Sequence, residues 1–217
     1  FENNSAVGTS GSSYGGAIYN ASGRPAIQNN LITGNTAVSG AGIYVSGGGP
    51  TIQNNTIVGN TASMGGGIYN SSGGVAIRNN IIANNSAANY YGYGGGIYSI
   101  AVPMVDYNNL WNNTPGNYGG TGGSGPHDVR SDPSFVNAAA GDLLANSPCI
   151  DAGDPLNHPQ SDIEGNPRPM RLGVDMGAYE YRGLGLVKTA PEAVLPGAAF
   201  SYHLEVVNLE ESVVSQV

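Results

Sequence analysis

Residues 51–75 read TIQNNTIVGNTASMGGGIYNSSGGV, and close copies of this stretch lie on both sides of it in the chain. Its opening TIQNNTIVGNTA recurs with small changes at 26–37, at 76–87 and, in a divergent form, at 105–113. Its later GGGIYN recurs at 15–20, 40–45 and 94–99. Self-similarity with a period of about 25 residues is typical of a solenoid, in which each repeat forms one coil that rests on the previous one.

Three columns of aliphatic residues run through the copies. The first contains Ile18, Ile43, Ile68 and Ile97, the second Ile27, Ile52, Ile77 and Val105, and the third Ile32, Ile57, Ile82 and Leu110, with Phe1 one coil earlier. Within a coil these positions lie 9, 5 and 11 residues apart, which does not fit a helical period. Short β-branched runs between Gly, Asn and Ser indicate strands and turns. The sequence therefore predicts an all-β fold, a right-handed parallel β-helix with three strands per coil and the columns facing inward.

Asparagine recurs at two turn positions of the coil. One series is Asn30, Asn55, Asn80 and Asn108, and the other is Asn35, Asn60, Asn85 and Asn113. Asparagine tolerates left-handed backbone angles, and its amide can bind the same residue of the next coil, so each series predicts a ladder of amides. The glycine pairs before each Ile-Tyr predict a further sharp corner.

Charge and composition exclude several classes of partner. The net charge is −8, and residues 1–105 contain only Glu2, Arg24 and Arg78 as charged residues. Without a basic patch, nucleic acid is not an expected partner. No apolar run reaches the roughly 18 residues of a membrane span, so direct membrane insertion is not expected. The single cysteine, Cys149, excludes an intrachain disulfide and is interpreted as an inert buried thiol.

The composition divides the chain into three parts. Residues 1–125 are the predicted β-helix repeats, with an exposed loop expected in the glycine-rich stretch 114–128. Residues 126–182 are predicted to form the last coils and a C-terminal cap, because the open end of a solenoid needs covering. In residues 183–217, apolar side chains occupy every second position at Phe200, Tyr202, Leu204 and Val206. This alternation predicts the start of a β-sandwich that is too short to be complete. We therefore expect this sequence to be part of a longer multidomain chain.

Three motifs carry a family resemblance. The pattern GG[AG]IYN followed by IxNNxIxxN resembles the right-handed β-helix repeats of bacterial surface and secreted proteins. The series DPSFVN, SPCIDAGDP, DIEGNPRP and VDMGAYE between 132 and 180 resembles the end of the "choice-of-anchor" β-helix domain of exported bacterial proteins. Residues 187–208 resemble the opening of a DUF11-type immunoglobulin-like repeat. The resemblance implies an exported, modular protein located outside the cell or on its surface, and it implies no catalytic activity.

The repeat faces do not predict an active site. Glycoside hydrolysis uses a pair of carboxylates, and uronate lyases use calcium with a basic residue. The outward position after the second column instead reads Gln28, Gln53, Arg78 and Asp106. We expect an ordinary surface ion pair between Arg78 and Asp106, and no catalytic residue is predicted. A polysaccharide lyase or hydrolase whose active site lies in the cap, or in coils outside this sequence, is the alternative.

The acidic residues of the predicted cap are candidate calcium ligands. The turns DAGD and DIEGN supply Asp151, Asp154, Asp162 and Glu164, and Asp175 lies further along. They match neither the EF-hand loop nor the calcium-binding nonapeptide repeat. Ordinary turns capped by aspartate are the other interpretation, and no other cofactor is expected.

Tyrosines form the candidate ligand-binding face. Tyr19, Tyr44, Tyr69 and Tyr98 directly follow the inward isoleucines, so strand alternation turns them outward. Two inserted loops at the same corner add Tyr14, Tyr90, Tyr91 and Tyr93. Such a column suits a glycan or a host or neighbour-cell surface protein, although stacking that merely stabilises the sheet explains it too. The sequence thus favours a non-catalytic, adhesin-like binding or scaffold module over an enzyme or a pure spacer.

Overall fold

The computed structural model describes residues 1–6, 13–88 and 94–183, together with the backbone of 184–189 and 203–208. Three parallel sheets form the solenoid. The first contains β1 (Ile18–Asn20), β4 (Ile43–Val45), β8 (Ile68–Asn70), β12 (Ile97–Ser99) and β15 (Tyr118–Gly120). The second contains β2 (Ala26–Gln28), β5 (Thr51–Gln53), β9 (Ala76–Arg78) and β13 (Met104–Asp106). The third contains β3 (Leu31–Thr33), β6 (Thr56–Val58), β10 (Ile81–Ala83) and β14 (Asn109–Trp111).

Short paired strands complete the secondary structure. β7 (Thr61–Ala62) pairs in parallel with β11 (Ser86–Ala87), and β16 (Phe135–Asn137) pairs antiparallel with β17 (Asp142–Leu143). β18 (Leu184–Thr189) and β19 (His203–Asn208) form an antiparallel hairpin. None of the described residues belongs to a helix that could span a membrane.

The three predicted columns form the core. Ile43 pairs in register with Ile18 and Ile68, and the other columns pair in the same way. The column members from the middle coils are fully buried, because each lies on a like side chain above and below. β-branched residues suit this stacking on a pleated surface. The prediction of an all-β parallel β-helix with about 25 residues per coil is confirmed.

Each asparagine ladder extends beyond the predicted residues. Asn55 donates its backbone N–H and its side-chain amide to Oδ1 of Asn80, and this pattern repeats along both series. Asp128 replaces asparagine at the end of the first ladder, while Asn4 and Asn117 extend the second at its two ends. These additions make each ladder the principal polar support of one corner.

The left-handed backbone angles lie one residue before the ladder. Asn29, Asn54 and Asn79 have φ values of 54°, 50° and 55°, and Tyr107 takes the same conformation in the next coil. The prediction that the ladder asparagine itself adopts this conformation is wrong. The first asparagine of each Asn-Asn pair makes the turn, and the second carries the hydrogen bonds.

The glycine-rich stretch contains a strand that the sequence prediction missed. Tyr118 pairs with Ile97 and takes the first-column position, so β15 forms a fifth strand within the range expected to be a loop. The column shows only aliphatic residues in the other coils, which is why Tyr118 among glycines was not recognised. Its hydroxyl donates to Oδ2 of Asp128 at 2.6 Å, and its ring packs against the core.

Residues 132–181, which we call the flank segment, do not behave as a cap on the open end. Asn29 donates to the carbonyl of Ser161, Asn54 to that of Asp175, and Asn109 to the sulfur of Cys149. These three asparagines belong to different coils, so the segment lies lengthwise along the solenoid. Val58 and Ile81, on the outer side of the third sheet, pack with Leu143, Cys149 and Met176 of this segment. The expectation of an end cap is therefore corrected to a cover along one side.

The contacts divide the chain into two units, residues 1–181 and 182–217. The first contains the solenoid and the flank segment. The second contains the hairpin β18–β19, in which the predicted strand residues Leu204 and Val206 lie, while Phe200 and Tyr202 fall outside the described residues. The start of a β-sandwich stays a prediction.

Candidate ligand-binding face

The predicted tyrosines form one column on the outer side of the first sheet. Tyr19 pairs in register with Tyr44, Tyr44 with Tyr69, and Tyr69 with Tyr98. Tyr14 precedes β1 and places its ring centroid 4.7 Å from that of Tyr44. We call these five residues the tyrosine column. The predicted Tyr90, Tyr91 and Tyr93 lie outside the described residues.

The rings of the tyrosine column lie against each other. The centroids of Tyr19 and Tyr44 are 5.4 Å apart with planes inclined by 14°, and those of Tyr44 and Tyr69 are 4.9 Å apart with planes inclined by 8°. Tyr69 and Tyr98 follow at 5.3 Å and 42°. Tyr44 therefore has a nearly parallel tyrosine ring on each side, and Tyr69 has one parallel and one tilted neighbour. The column offers ring edges and hydroxyls to a ligand, and not open ring faces.

Burial and hydrogen bonding shift the pKa of one phenol of the column, that of Tyr44. Partial burial raises the pKa of Tyr44, an effect that a hydrogen bond with the Ser71 side chain partly offsets. Apart from tyrosines, the ionisable side chains in residues 1–105 are Glu2, Arg24 and Arg78. Arg78 lies in the second sheet, and Glu2 pairs with Thr33 of the third. Arg24 lines a shallow depression of about 550 Å³ together with glycines of the neighbouring turns and Ser72.

A charged groove lies on the second sheet, where the sequence predicted only a surface ion pair. Arg78 and Asp106 are register partners, as expected. Arg78 nevertheless faces Asp154 of the flank segment, with 3.9 Å between Nη1 and Oδ2, and Asp106 binds Nδ1 of His127 at 3.0 Å. The expected Arg78–Asp106 pair is therefore wrong. Asp154 and His127 come from outside the repeat, so no repeat-based signal could have placed them here.

The charged groove is lined by both charged and apolar side chains. Its volume is about 290 Å³, and Met104 and Val105 line it beside the charged side chains. Partial burial acts to raise the pKa of Asp106, but hydrogen bonds from the His127 ring, the His127 N–H and the Tyr107 N–H lower the pKa overall. A general acid of a glycosidase needs a raised pKa. Asp106 therefore fits a hydrogen-bond acceptor better than a proton donor.

The candidate calcium ligands accept hydrogen bonds from nearby turns. Oδ1 of Asp154 accepts the Leu156 N–H, and Oδ1 of Asp162 accepts the N–H groups of Glu164 and Asn166. The other three candidates make similar contacts: Asp151 accepts from Gly173, Asp175 from Asp151 and Tyr181, and Glu164 from Asn166. In the described ranges, no group of three or more His, Cys, Asp or Glu could hold a metal ion. The geometry is that of capped turns.

Asp175, an acidic residue with a strongly raised pKa, is buried inside the flank segment. Burial, with a further contribution from Glu180, raises the pKa of Asp175 to about 7. Its side chain is almost fully buried, and its oxygens accept N–H groups of Asp151 and Tyr181. A polymer in solution has no access to this carboxyl group. Its raised pKa reflects the packing of the segment and not a site for substrate.

Coils stacked in register and covered along one side define the protein as a parallel β-helix solenoid. Residues 1–131 match the model of a family described as a right handed beta helix region, and the chain therefore belongs to that family. This match confirms the handedness that the sequence predicted. No curated protein and no solved structure matches the chain. The fold hosts unrelated functions, so the function must be argued from the sites.

Proposed function

We propose that the protein is a non-catalytic, adhesin-like module of an exported protein, which binds a glycan on its tyrosine column. The observation that carries the proposal is the unbroken series of outward tyrosines, whose neighbouring rings lie 4.7–5.4 Å apart on a rigid sheet. Aromatic side chains on a scaffold combine apolar contact area with a polar tip, and they are enriched where proteins bind partners. The location outside the cell rests on the resemblance of the repeats and of 132–180 to exported bacterial proteins.

The arrangement of charge also supports a binding role. The strands of the first sheet carry phenols and no acidic or basic side chain, and Asp106 of the charged groove accepts hydrogen bonds from Tyr107 and His127. Stacking alone would stabilise the sheet by about 1 kcal/mol or less per pair. The length and exposure of the column are more consistent with a surface used by a ligand.

Removing the central rings is expected to abolish glycan binding. On a glycan array, Tyr44→Ala with Tyr69→Ala should lower the bound signal at least about tenfold, because hot-spot aromatic residues carry most of an interface's free energy. Trp111→Ala is the matched control, since Trp111 is an exposed aromatic residue on the third sheet. An unchanged glycan profile for the double variant, with the fold intact by circular dichroism, would contradict the proposal.

A polysaccharide-active enzyme is the second candidate, and the charged groove is the observation that favours it. Arg78, Asp106 and Asp154 line it, and His127 binds Asp106, so a cation, carboxylates and an imidazole lie close together, which the repeats alone do not offer. A lyase would need a base beside a group that neutralises the substrate carboxylate.

Incubation with pectin and alginate tests the second candidate. We expect neither new reducing ends nor unsaturated uronates above the buffer control, because the pKa of Asp106 is lowered and Arg78 is already neutralised by Asp154. Product formation that disappears in Asp106→Asn would establish the enzyme and overturn the non-catalytic assignment. Product that persists in Asp106→Asn would indicate a contaminating activity, so that variant is the control.

A further inference from the structure

The shape of the tyrosine column restricts the direction of its ligand. The rings continue across coils, and three coil steps from Tyr19 to Tyr98 span about 15 Å at the usual strand spacing. Along a coil the column is only one ring wide, because the residues on either side of each tyrosine point inward. A ligand that contacts several rings must therefore lie parallel to the solenoid axis.

The stacking of the rings restricts the contact chemistry. Because Tyr44 and Tyr69 each lie between two tyrosine rings whose centroids are 4.9–5.4 Å away, a sugar has no room to stack flat on either of them. The ring edges supply apolar surface, and each phenol oxygen can donate one hydrogen bond and accept others. Tyr44 uses one of these positions in its hydrogen bond with Ser71. This combination matches a chain of sugar units, which alternates C–H groups with hydroxyls that both donate and accept.

The charge distribution restricts the ligand further. The strands of the first sheet carry phenols and no acidic or basic side chain, and the charged residues of 1–105 lie elsewhere: Glu2 beside the third sheet, Arg78 in the second and Arg24 in a depression that Ser72 also lines. An anionic polymer would lose hydration on this face without gaining an ion pair. The face therefore favours an uncharged ligand.

We infer that the tyrosine column binds a neutral, unbranched glycan that lies along the solenoid axis and contacts about one ring edge per coil. This inference rests on the proposed glycan-binding function and adds the charge and the direction of the ligand. It implies that affinity depends on the number of sugar units. Each unit that reaches a further ring adds contact without a further cost of association, as in other multivalent binding.

The test is a titration of the whole chain with chitin oligosaccharides of increasing length, from the monosaccharide to the hexasaccharide, by calorimetry. We expect affinity to rise at least about tenfold between the disaccharide and the tetrasaccharide and then to level off, because the column ends at Tyr98. Oligogalacturonides of the same lengths are the anionic comparison, and they should bind at least about tenfold more weakly.

Variants along the column give a positional readout. Tyr98→Ala shortens the column at one end and should lower the affinity for the tetrasaccharide more than the affinity for the disaccharide. Tyr44→Ala should lower both affinities. Tyr44→Phe keeps the stack and removes one hydroxyl, which separates hydrogen bonding from packing. Trp111→Ala should change none of these affinities.

The outcomes separate the two levels of the proposal. Affinity that is independent of length, or tighter binding of the oligogalacturonides, would overturn the axial, neutral ligand while leaving glycan binding in place. Failure of both series to bind, together with a glycan array that detects no binding by the unmodified chain, would overturn the proposed function itself. A tyrosine-dependent complex with a protein instead of a glycan would also overturn it.

Discussion

Replacing Asn60 by alanine is expected to lower the free energy of unfolding by about 3–5 kcal/mol, because it leaves buried polar groups without partners. Oδ1 of Asn60 accepts the N–H and the side-chain amide of Asn35 at 2.9 Å each. Its own amide donates to the carbonyls of Ile32 and Val58 and to Oδ1 of Asn85. Asn60 is fully buried, so water cannot replace these bonds.

Equilibrium unfolding in urea measures this loss, and Asn30→Ala is the matched control. Asn30 lies at the end of the other ladder, is partly exposed, and donates its amide to Gln28 and Asn55. Water can hydrate the groups that Asn30→Ala frees, so we expect a loss below about 1 kcal/mol. Equal losses for the two variants would mean that the ladder adds nothing beyond ordinary surface hydrogen bonds.

Asn60→Asp keeps the shape of the side chain but removes its amide donors, so it tests how much those donors contribute to stability. The substitution keeps an acceptor for Asn35 but points a second oxygen at the oxygens of Ile32, Val58 and Asn85. A buried carboxylate there would have a raised pKa, and protonation restores one donor. The destabilisation should therefore be larger at neutral pH than in mild acid, because the folded state binds the proton more tightly than the unfolded state.

The columns and ladders were predictable because each relies on contact between like residues. When Ile52 lies on Ile77 and Asn55 binds Asn80, the repeat must keep the same residue at the same step. That constraint is visible in one sequence. The same reasoning failed at the last coil, where Tyr118 replaces the column isoleucine and Asp128 replaces the ladder asparagine.

The third-sheet strands of the repeats contain a sign of the flank segment that the sequence prediction missed. Strands of the second sheet alternate, as in AIQ and TIQ, and their outer residues are exposed in the first and partly exposed in the second. Strands of the third sheet read TIV and IIA and are buried on both sides. Continuous apolar strands are typical of sheets covered on both faces. The outward-facing Val58 and Ile81 thus indicated that the outer side of the third sheet is covered. They did not indicate which residues cover it.

The candidate site was only partly predictable. Strand alternation correctly turned the tyrosines outward, and the steps of the repeat aligned them. The contact between neighbouring tyrosine rings depends on the distance between coils, which cannot be read from the amino-acid sequence alone. The charged groove was missed because His127 and Asp154 reach it through irregular segments whose path no period describes.

Replacing Arg168 by methionine is expected to destabilise the flank segment by about 3–5 kcal/mol, because it leaves a buried carboxylate without its cation. Nη1 of Arg168 lies 2.6 Å from Oε1 of Glu180, and both side chains are buried. Nη2 donates to the carbonyl of Gly177 at 2.8 Å. Without Arg168, Glu180 would share its surroundings with Asp175, whose pKa burial and Glu180 already raise to about 7.

Cys149 reports whether this damage is local. The thiol is fully buried between the flank segment and the third sheet, and burial raises its pKa to about 11. A thiol of that kind reacts slowly with alkylating reagents at mildly alkaline pH, since the thiolate is the reactive form. Arg168→Met should accelerate alkylation at least about tenfold by favouring local opening of the segment. Arg24→Met, at an exposed position, should leave the rate unchanged.

The double variant Arg168→Met, Glu180→Leu decides what the ion pair contributes. Replacing a whole buried pair by apolar residues is often neutral, whereas removing one partner is costly. Glu180 also accepts the N–H groups of Asp175 and Met170, which leucine would leave unpaired. The double variant should therefore recover only part of the loss, and its Cys149 should react at an intermediate rate. Full recovery of stability in the double variant would show that the backbone contacts of Glu180 are unimportant. An unchanged alkylation rate of Cys149 in Arg168→Met alone would show that the apolar contacts hold the flank segment in place by themselves.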